Sequence, residues 1–347
     1  MFKEEIIKSF AQLGHVLKYV CNLEPDEAVP YPLEDELIAR FQICVNSQRL
    51  KNGWFTEENV WRAIRNHAVN LSDDKLNQWQ ASYGLSKSSK SILVVMAGNI
   101  PLVGFHDFVS VLMSGNNILC KQSSEDASLL PLIAEILIKI NPNFKERIFF
   151  VNGPARDFDA VIATGSNNTI EQFRTYFRNL PCLFRKNRTS LAVLKGVETD
   201  EDIQRLGNDI FNYFGLGCRN VSHIMIPNNF NLNLFFKNIV SFSDIINHHK
   251  YANNYDYHRA IFLLNKIDFL DNNFVLINKN EDLISPIAVL NYHYYSSMKD
   301  IEDYIQTHRK SIQVIVGKDY LDFGKAQCPN WEDYADDMDT MDFLLNL

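Results

Sequence analysis

The chain has 347 residues, 46% of them hydrophobic and 22% charged, with a formal charge of -8 at pH 7. That length accommodates two domains or one large α/β unit, and the composition is too apolar for a disordered chain. The acidic balance, with no basic block to offset it, argues against a nucleic-acid backbone as partner. In chain order, 1–85 reads as helices joined by long loops, with LSDDKLNQWQASYGL as one amphipathic candidate and SKSSK at 86–90 as a polar joint. The texture then changes. SILVVMAGN (91–99) is a buried-strand run, and PLVGFHDFVSVLMSG (101–115) a helix entered through proline. NNILCKQSS (116–124) is a second strand and LLPLIAEILIKI (129–140) a second helix, followed by short strands in RIFFVNG (147–153) and FDAVIATGS (158–166). Strands alternating with helices in this way predict a parallel sheet with crossover helices.

A second unit begins near Asn187, with strands expected at AIFLLN (260–265), FVLIN (274–278) and SPIAVLNYHYY (285–295). The expected division is a cofactor-binding domain over 1–186, a catalytic domain over 187–320 and an acidic C-terminal arm over 321–347. No apolar run reaches the roughly 18 residues of a spanning helix. The N-terminus, MFKEEIIKSF, is amphipathic and acidic rather than a signal peptide. Six cysteines without CxxC pairing suit a reducing cytoplasm, and the histidines offer no ligand spacing, so no metal is expected.

Polar motifs fall where strands of a doubly wound sheet end, which is where such sheets bind ligands. Asn99, after the first strand, is either a turn residue or an amide donor to a developing oxyanion. Lys121, after the second, is either a solvated lysine or a partner for ribose hydroxyls or phosphate. Gly165 and Ser166 stand between a strand and a helix, where Ser166 is an N-cap and the helix start can hold an anion such as a pyrophosphate. No GxGxxG fingerprint occurs. The sharpest signal is FNYFGLGCRNVSHIMIP (211–227). A helix with apolar Ile203, Leu206, Ile210, Phe211 and Phe214 leads into a cramped loop, and a strand that stops at Pro227 follows it. Gly215 and Gly217 give that loop backbone freedom, and Arg219 beside Cys218 favours a thiolate, the nucleophilic form. Cys120, inside an apolar strand, is expected to be buried and inert.

Taken in order, MAGNIP, LCKQSSE, IATGS, the Cys218 loop and EDLISP resemble the aldehyde dehydrogenase superfamily. RKNRTSLAVLKGVET with YFGLGCRNVS resembles more closely the LuxC-type acyl-CoA reductases. The resemblance covers about 90–330 and is strongest at 161–227. It implies an aldehyde-dehydrogenase-like α/β fold with a Rossmann-like parallel-sheet cofactor domain and a second α/β catalytic domain. It makes Cys218 the acyl acceptor, with Asn99 and the Cys218 backbone N–H as the oxyanion hole. Thr164, Gly165 and Ser166 would meet the cofactor pyrophosphate, and Lys121 and Ser124 the adenosine ribose or its 2′-phosphate. Where NAD-preferring relatives often carry glutamate, this chain has Ser124, with Glu125 next, so a 2′-phosphate is not obviously repelled; NADPH is the expected cofactor and NADH the alternative.

Two departures bear on the reaction. The glutamate with which oxidising members activate water has no counterpart in FRKNRTSLAV; Glu198, twenty residues before Cys218, is the candidate substitute. Asp282 and Ser285 replace the glutamate and glycine of the family's Glu-x-x-Gly-Pro segment, so a ribose contact by Asp282 is the remaining expectation there. The implied activity is NAD(P)H-dependent reduction of an acyl-CoA or other acyl thioester, fatty acyl by resemblance, to the aldehyde. The alternatives are a cofactor-independent Cys218 acyltransferase or thioesterase, an NAD-dependent aldehyde dehydrogenase, and a non-catalytic scaffold. A homo-oligomer is implied, no membrane insertion is expected, and an acyl-activating or acyl-carrier protein is a candidate partner.

Overall fold

A computed structural model describes residues 2–23 and 35–347; the stretch of the expected helical region at 24–34 lies outside the described residues. Four helices come first: α1 (Lys3–Val20), α2 (Asp35–Lys51), α3 (Glu57–Asn70) and α4 (Asp73–Ala81). The side chain of Thr56 accepts from the Asn59 N–H, and that of Ser72 from the Lys75 N–H. Each supplies an acceptor to donors that a helix start leaves open. Ile6, Phe10, Leu13 and Leu17 of α1 are buried in one apolar cluster with Phe144.

Strands and helices then alternate: β1 (Ser91–Val95), α5 (Phe105–Met113), β2 (Asn117–Lys121), α6 (Leu129–Ile140), β3 (Ile148–Phe150), β4 (Ala160–Thr164), α7 (Asn167–Tyr176) and β5 (Cys182–Arg185). All pair in parallel, in the order β3-β2-β1-β4-β5, with Val95 opposite Lys121 on one side of β1 and Ala163 on the other. Ile92, Leu93 and Val94 are buried, as strands covered on both faces require. Two details differ from the sequence reading. Pro101 does not open α5: a turn intervenes in which Leu102 takes φ 58°, and the helix starts at Phe105. The edge strand β5 was not anticipated, because four residues, CLFR, are too few to show an alternation.

The second unit, Asn187–Pro329, holds β6 (Thr189–Val193), α8 (Asp200–Phe211), β7 (Val221–Pro227), α9 (Leu232–Ile239), α10 (His249–Leu264), β8 (Phe269–Asp271), β9 (Leu276–Lys279), β10 (Val289–Tyr295), α11 (Met298–His308) and β11 (Ile312–Gly317). Its sheet runs β11-β6-β7-β10-β9-β8, parallel except for the antiparallel edge strand β8. The expected strand AIFLLN is instead the last part of α10. A short apolar run fits either element, and here it continues a helix whose Tyr251, Tyr255 and Phe262 are buried.

The acidic tail divides. Residues 321–329 stay with the second unit, whereas Asn330–Leu347, including α12 (Thr340–Leu345), belongs to the first, with Met1–Lys186. Trp331 stacks on Trp79 with centroids 5.0 Å apart and donates its indole N–H to the Asn70 carbonyl at 2.8 Å. Trp79 in turn donates to the Tyr334 hydroxyl at 2.7 Å. Trp331→Ala should therefore lower stability by about 3–5 kcal/mol, read as a fall in the denaturant midpoint. Among the described residues no helix is long and apolar enough to cross a membrane.

Candidate active site

In the first unit the chain leaves β1 toward β2 on one side and, later, β4 on the other, so the carboxyl ends of these strands flank a topological switch point. Asn99 is exposed in the loop after β1. Lys121 closes β2 and is half-buried, and the exposed Ser124 begins a short 3-10 turn capped by Ser123, whose side chain accepts from the Glu125 N–H. The two loops touch: a Cβ on Gly98 would lie 2.6 Å from Ser123 Oγ, so only glycine fits that approach. Thr164 ends β4, Gly165 follows, and the exposed Ser166 caps α7 by accepting the Thr169 N–H at 3.2 Å. No acidic residue lies in the first turn of α7. Open backbone donors, a hydroxyl cap and no carboxylate form a donor set that suits an anionic group such as a dinucleotide pyrophosphate. The fold thus brings Asn99, Lys121, Ser124, Thr164, Gly165 and Ser166 to one edge of one sheet.

A carboxylate overlooked in the sequence sits behind this edge. Asp126 is 7% exposed; its Oδ2 accepts the Leu102 N–H at 2.7 Å, which holds the turn after Asn99, while Oδ1 is buried with no partner. Burial pushes its pKa up to about 6, against the lowering effect of the Leu102 hydrogen bond. A native pKa above the unfolded value means that this group's contribution to stability is fully present below about pH 4 and is lost as pH rises through about 6. Asp126→Asn keeps an acceptor for Leu102 and removes the charge. It should raise stability at pH 8 by about 1–2 kcal/mol and change it little at pH 4, in paired thermal melts.

In the second unit α8 ends at Phe211, and the backbone then turns left-handed at Tyr213 (φ 53°), Phe214 (φ 58°) and Gly215 (φ 78°). Two of those three residues carry side chains, which makes this a strained approach to the half-buried Cys218. Phe214 is held by ring contacts with His248 and Tyr251, 4.2 and 6.2 Å between centroids. Gly217 gives its N–H to Asn220 Oδ1 at 2.8 Å, while Asn220 Nδ2 reaches the carbonyls of Asp209, Ile210 and Asn212 at 2.8–3.2 Å. Ser190 Oγ donates to the Cys218 carbonyl at 3.1 Å. One buried asparagine and one serine from β6 therefore set the cysteine turn.

Arg219 donates through Nε to the Ala326 carbonyl, and its charge acts on Asp209. The Asp209 carboxylate accepts the Gly324 and Ala326 N–H groups at 2.6 and 2.9 Å, and burial raises its pKa to about 6 despite those bonds and Arg219. Cys120 is buried in β2 and burial pushes its thiol pKa up, which disfavours thiolate there. Asp282 lies in the exposed loop between β9 and β10, its Oδ2 accepting from Asn280 Nδ2 at 3.1 Å. Glu198 is 7% exposed and committed to its own turn: its two oxygens accept the Lys195 and Gly196 N–H groups at 2.7 and 2.9 Å. Strand β6 is buried along its length and contains no carboxylate.

These two sheets define an α/β protein of the aldehyde dehydrogenase fold. Aldehyde dehydrogenase 21 from Physcomitrella patens, in complex with succinate, matches with a TM-score of 0.57 at 14% identity, over 89% of this chain and 73% of that one. A mutant of the P. syringae indole-3-acetaldehyde dehydrogenase AldA, in complex with NAD+ and IAA, matches with a TM-score of 0.65 at 9% identity, over 91% and 72%. A putative aldehyde dehydrogenase from Burkholderia cenocepacia gives 0.62 at 10% identity, over 88% and 74%. The acyl-CoA reductase (LuxC) family matches residues 54–230, just over half of the sequence, and the chain belongs to that family. It is an oxidoreductase of acyl or aldehyde chemistry. Comparison with curated proteins by sequence found no match.

Proposed function

We propose that the protein reduces an acyl thioester, acyl-CoA in the first instance, to the aldehyde through a covalent acyl group on Cys218. The observation that carries this reading is that neither β6 nor Glu198 offers water a base. Strand β6 has no carboxylate, and both oxygens of Glu198 are taken by backbone N–H groups. A thioester on Cys218 without such a base waits for hydride or another thiol rather than for hydrolysis.

Cys218 thiolate attacks the acyl carbon; the new C–S bond forms as the thiol of the acyl donor leaves and takes up a proton. By the family resemblance, Asn99 would donate to the oxyanion of the tetrahedral species, a contact typically worth about 2.7–4 kcal/mol. Ser166 and the backbone donors that open α7 would hold the dinucleotide pyrophosphate, with Lys121 and Ser124 at its adenosine ribose. When bound there, reduced nicotinamide would supply a hydride to the acyl carbon, and the C–S bond to Cys218 would break on collapse. Collapse releases aldehyde and returns Cys218 to thiolate. Ser124, rather than a glutamate that would repel a 2′-phosphate, supports NADPH over NADH.

Purified protein with tetradecanoyl-CoA and NADPH should oxidise cofactor and form aldehyde in equal amounts. Thiol release without cofactor oxidation would point instead to a Cys218 acyltransferase or thioesterase. Conversion of aldehyde to free acid with NAD+ would overturn the argument from the missing base.

A further inference from the structure

Behind the loop that carries Asp282, three consecutive backbone carbonyls are each held by a side chain from the neighbouring strands. The Asp282 carbonyl accepts from Asn291 Nδ2 and faces His223 Nδ1, both at 2.9 Å. The Leu283 carbonyl accepts from Ser222 Oγ at 2.8 Å, and the Ile284 carbonyl from Asn291 Nδ2 at 3.3 Å. His223 and Asn291 stand opposite each other in the parallel ladder of β7 and β10. His223 is fully buried, and its Nε2 lies 2.6 Å from Nδ1 of His293.

Hydrogen-bond chemistry fixes the protons. A carbonyl only accepts, so the proton of neutral His223 must sit on Nδ1. Its Nε2 is then the acceptor, and His293 Nδ1 must be the donor. His293 therefore fixes the tautomer that lets His223 hold the loop.

We infer that His223, kept in its Nδ1–H tautomer by His293, is a positioning residue that fixes the 282–284 loop for contact with the ribose of the nicotinamide cofactor. The ribose contact rests on the functional reading above; the clamp itself does not. The groups facing the pair are Tyr304 and His308 of α11, with Tyr304 centroids 5.2, 4.6 and 4.4 Å from those of His223, His293 and His308. Asp300 of α11 and Glu281 of the loop favour charge on His293, while burial and His308 oppose it. A proton added to His293 goes to Nε2 and leaves the pair intact. One added to His223 would set two N–H donors against each other. Burial holds the His223 pKa down at about 3, so the clamp stays closed across the neutral range.

The test pairs hydrogen exchange of the ligand-free protein with kinetics. In His223→Phe, amides of 281–285 should exchange about 10-fold faster, while His223→Asn, whose amide can replace Nδ1–H, stays within about 3-fold of the parent. The same His223→Phe variant should raise KM for NADPH about 3- to 10-fold. Its kcat and its release of thiol from tetradecanoyl-CoA without cofactor should not change. In the parent, loop exchange corrected for intrinsic chemistry should be flat between about pH 5.5 and 8. Unchanged loop exchange in His223→Phe, or a midpoint near pH 6.5 in the parent, overturns the clamp, even in a preparation with no NADPH activity. A loosened loop with unchanged KM for NADPH overturns the ribose contact alone. An equal fall in thiol release shows a general structural role and also overturns it.

Discussion

Cys218→Ala is expected to abolish reduction of acyl thioesters, with a loss of about 10³-fold or more in kcat, and to leave the fold intact. Tyr213, Phe214 and Gly215 are consecutively left-handed, and two of them bear the steric cost that this region imposes on residues with a Cβ. A half-buried cysteine does not need such an approach for packing, and substituting alanine for it removes little buried area. A nucleophile does need to be presented on a turn. The variant should melt within about 1 kcal/mol of the parent while neither releasing CoA nor oxidising NADPH. A kcat within 10-fold of the parent would show that another group carries the acyl chemistry.

Asn220→Ala should be the most damaging substitution near that turn, with a stability loss of about 2–4 kcal/mol. Asn220 is 2% exposed and ties the end of α8 to the cysteine turn through four contacts. Its removal leaves the Gly217 N–H and carbonyls at the end of α8 without that partner in a buried position, where unmet polar groups are most costly. The same change frees the turn, so kcat should fall even at temperatures where the variant is fully folded. Urea unfolding read beside single-turnover thiol release separates the two effects. A stability loss without a rate loss would mean that the cysteine turn holds its shape by other means.

The parallel sheet of the first unit was legible because strand runs such as SILVV and helices such as LLPLIAEILIKI differ in length and spacing, and their alternation leaves few topologies. The Cys218 loop was legible because glycines flank it between a helical and a strand pattern. What the sequence hid depends on tertiary neighbours. AIFLLN is apolar in either conformation, and only its continuity with the buried face of α10 makes it helical. The left-handed run includes an aromatic pair that propensity would never place there, with Phe214 held by His248 and Tyr251. Asp126, Asn220 and His223 look like ordinary polar residues until their burial and partners are known. The acidic tail showed its composition but not that Trp331 and Tyr334 pack around Trp79.

The most direct test of the acyl-enzyme is to mix the protein with tetradecanoyl-CoA in the absence of reduced cofactor, quench with acid, and map the product by peptide mass spectrometry. One tetradecanoyl group on the peptide containing Cys218, lost on addition of NADPH, is the result this account predicts. No acyl adduct, or an adduct on Cys120, Cys182 or Cys328 that NADPH does not discharge, would contradict it.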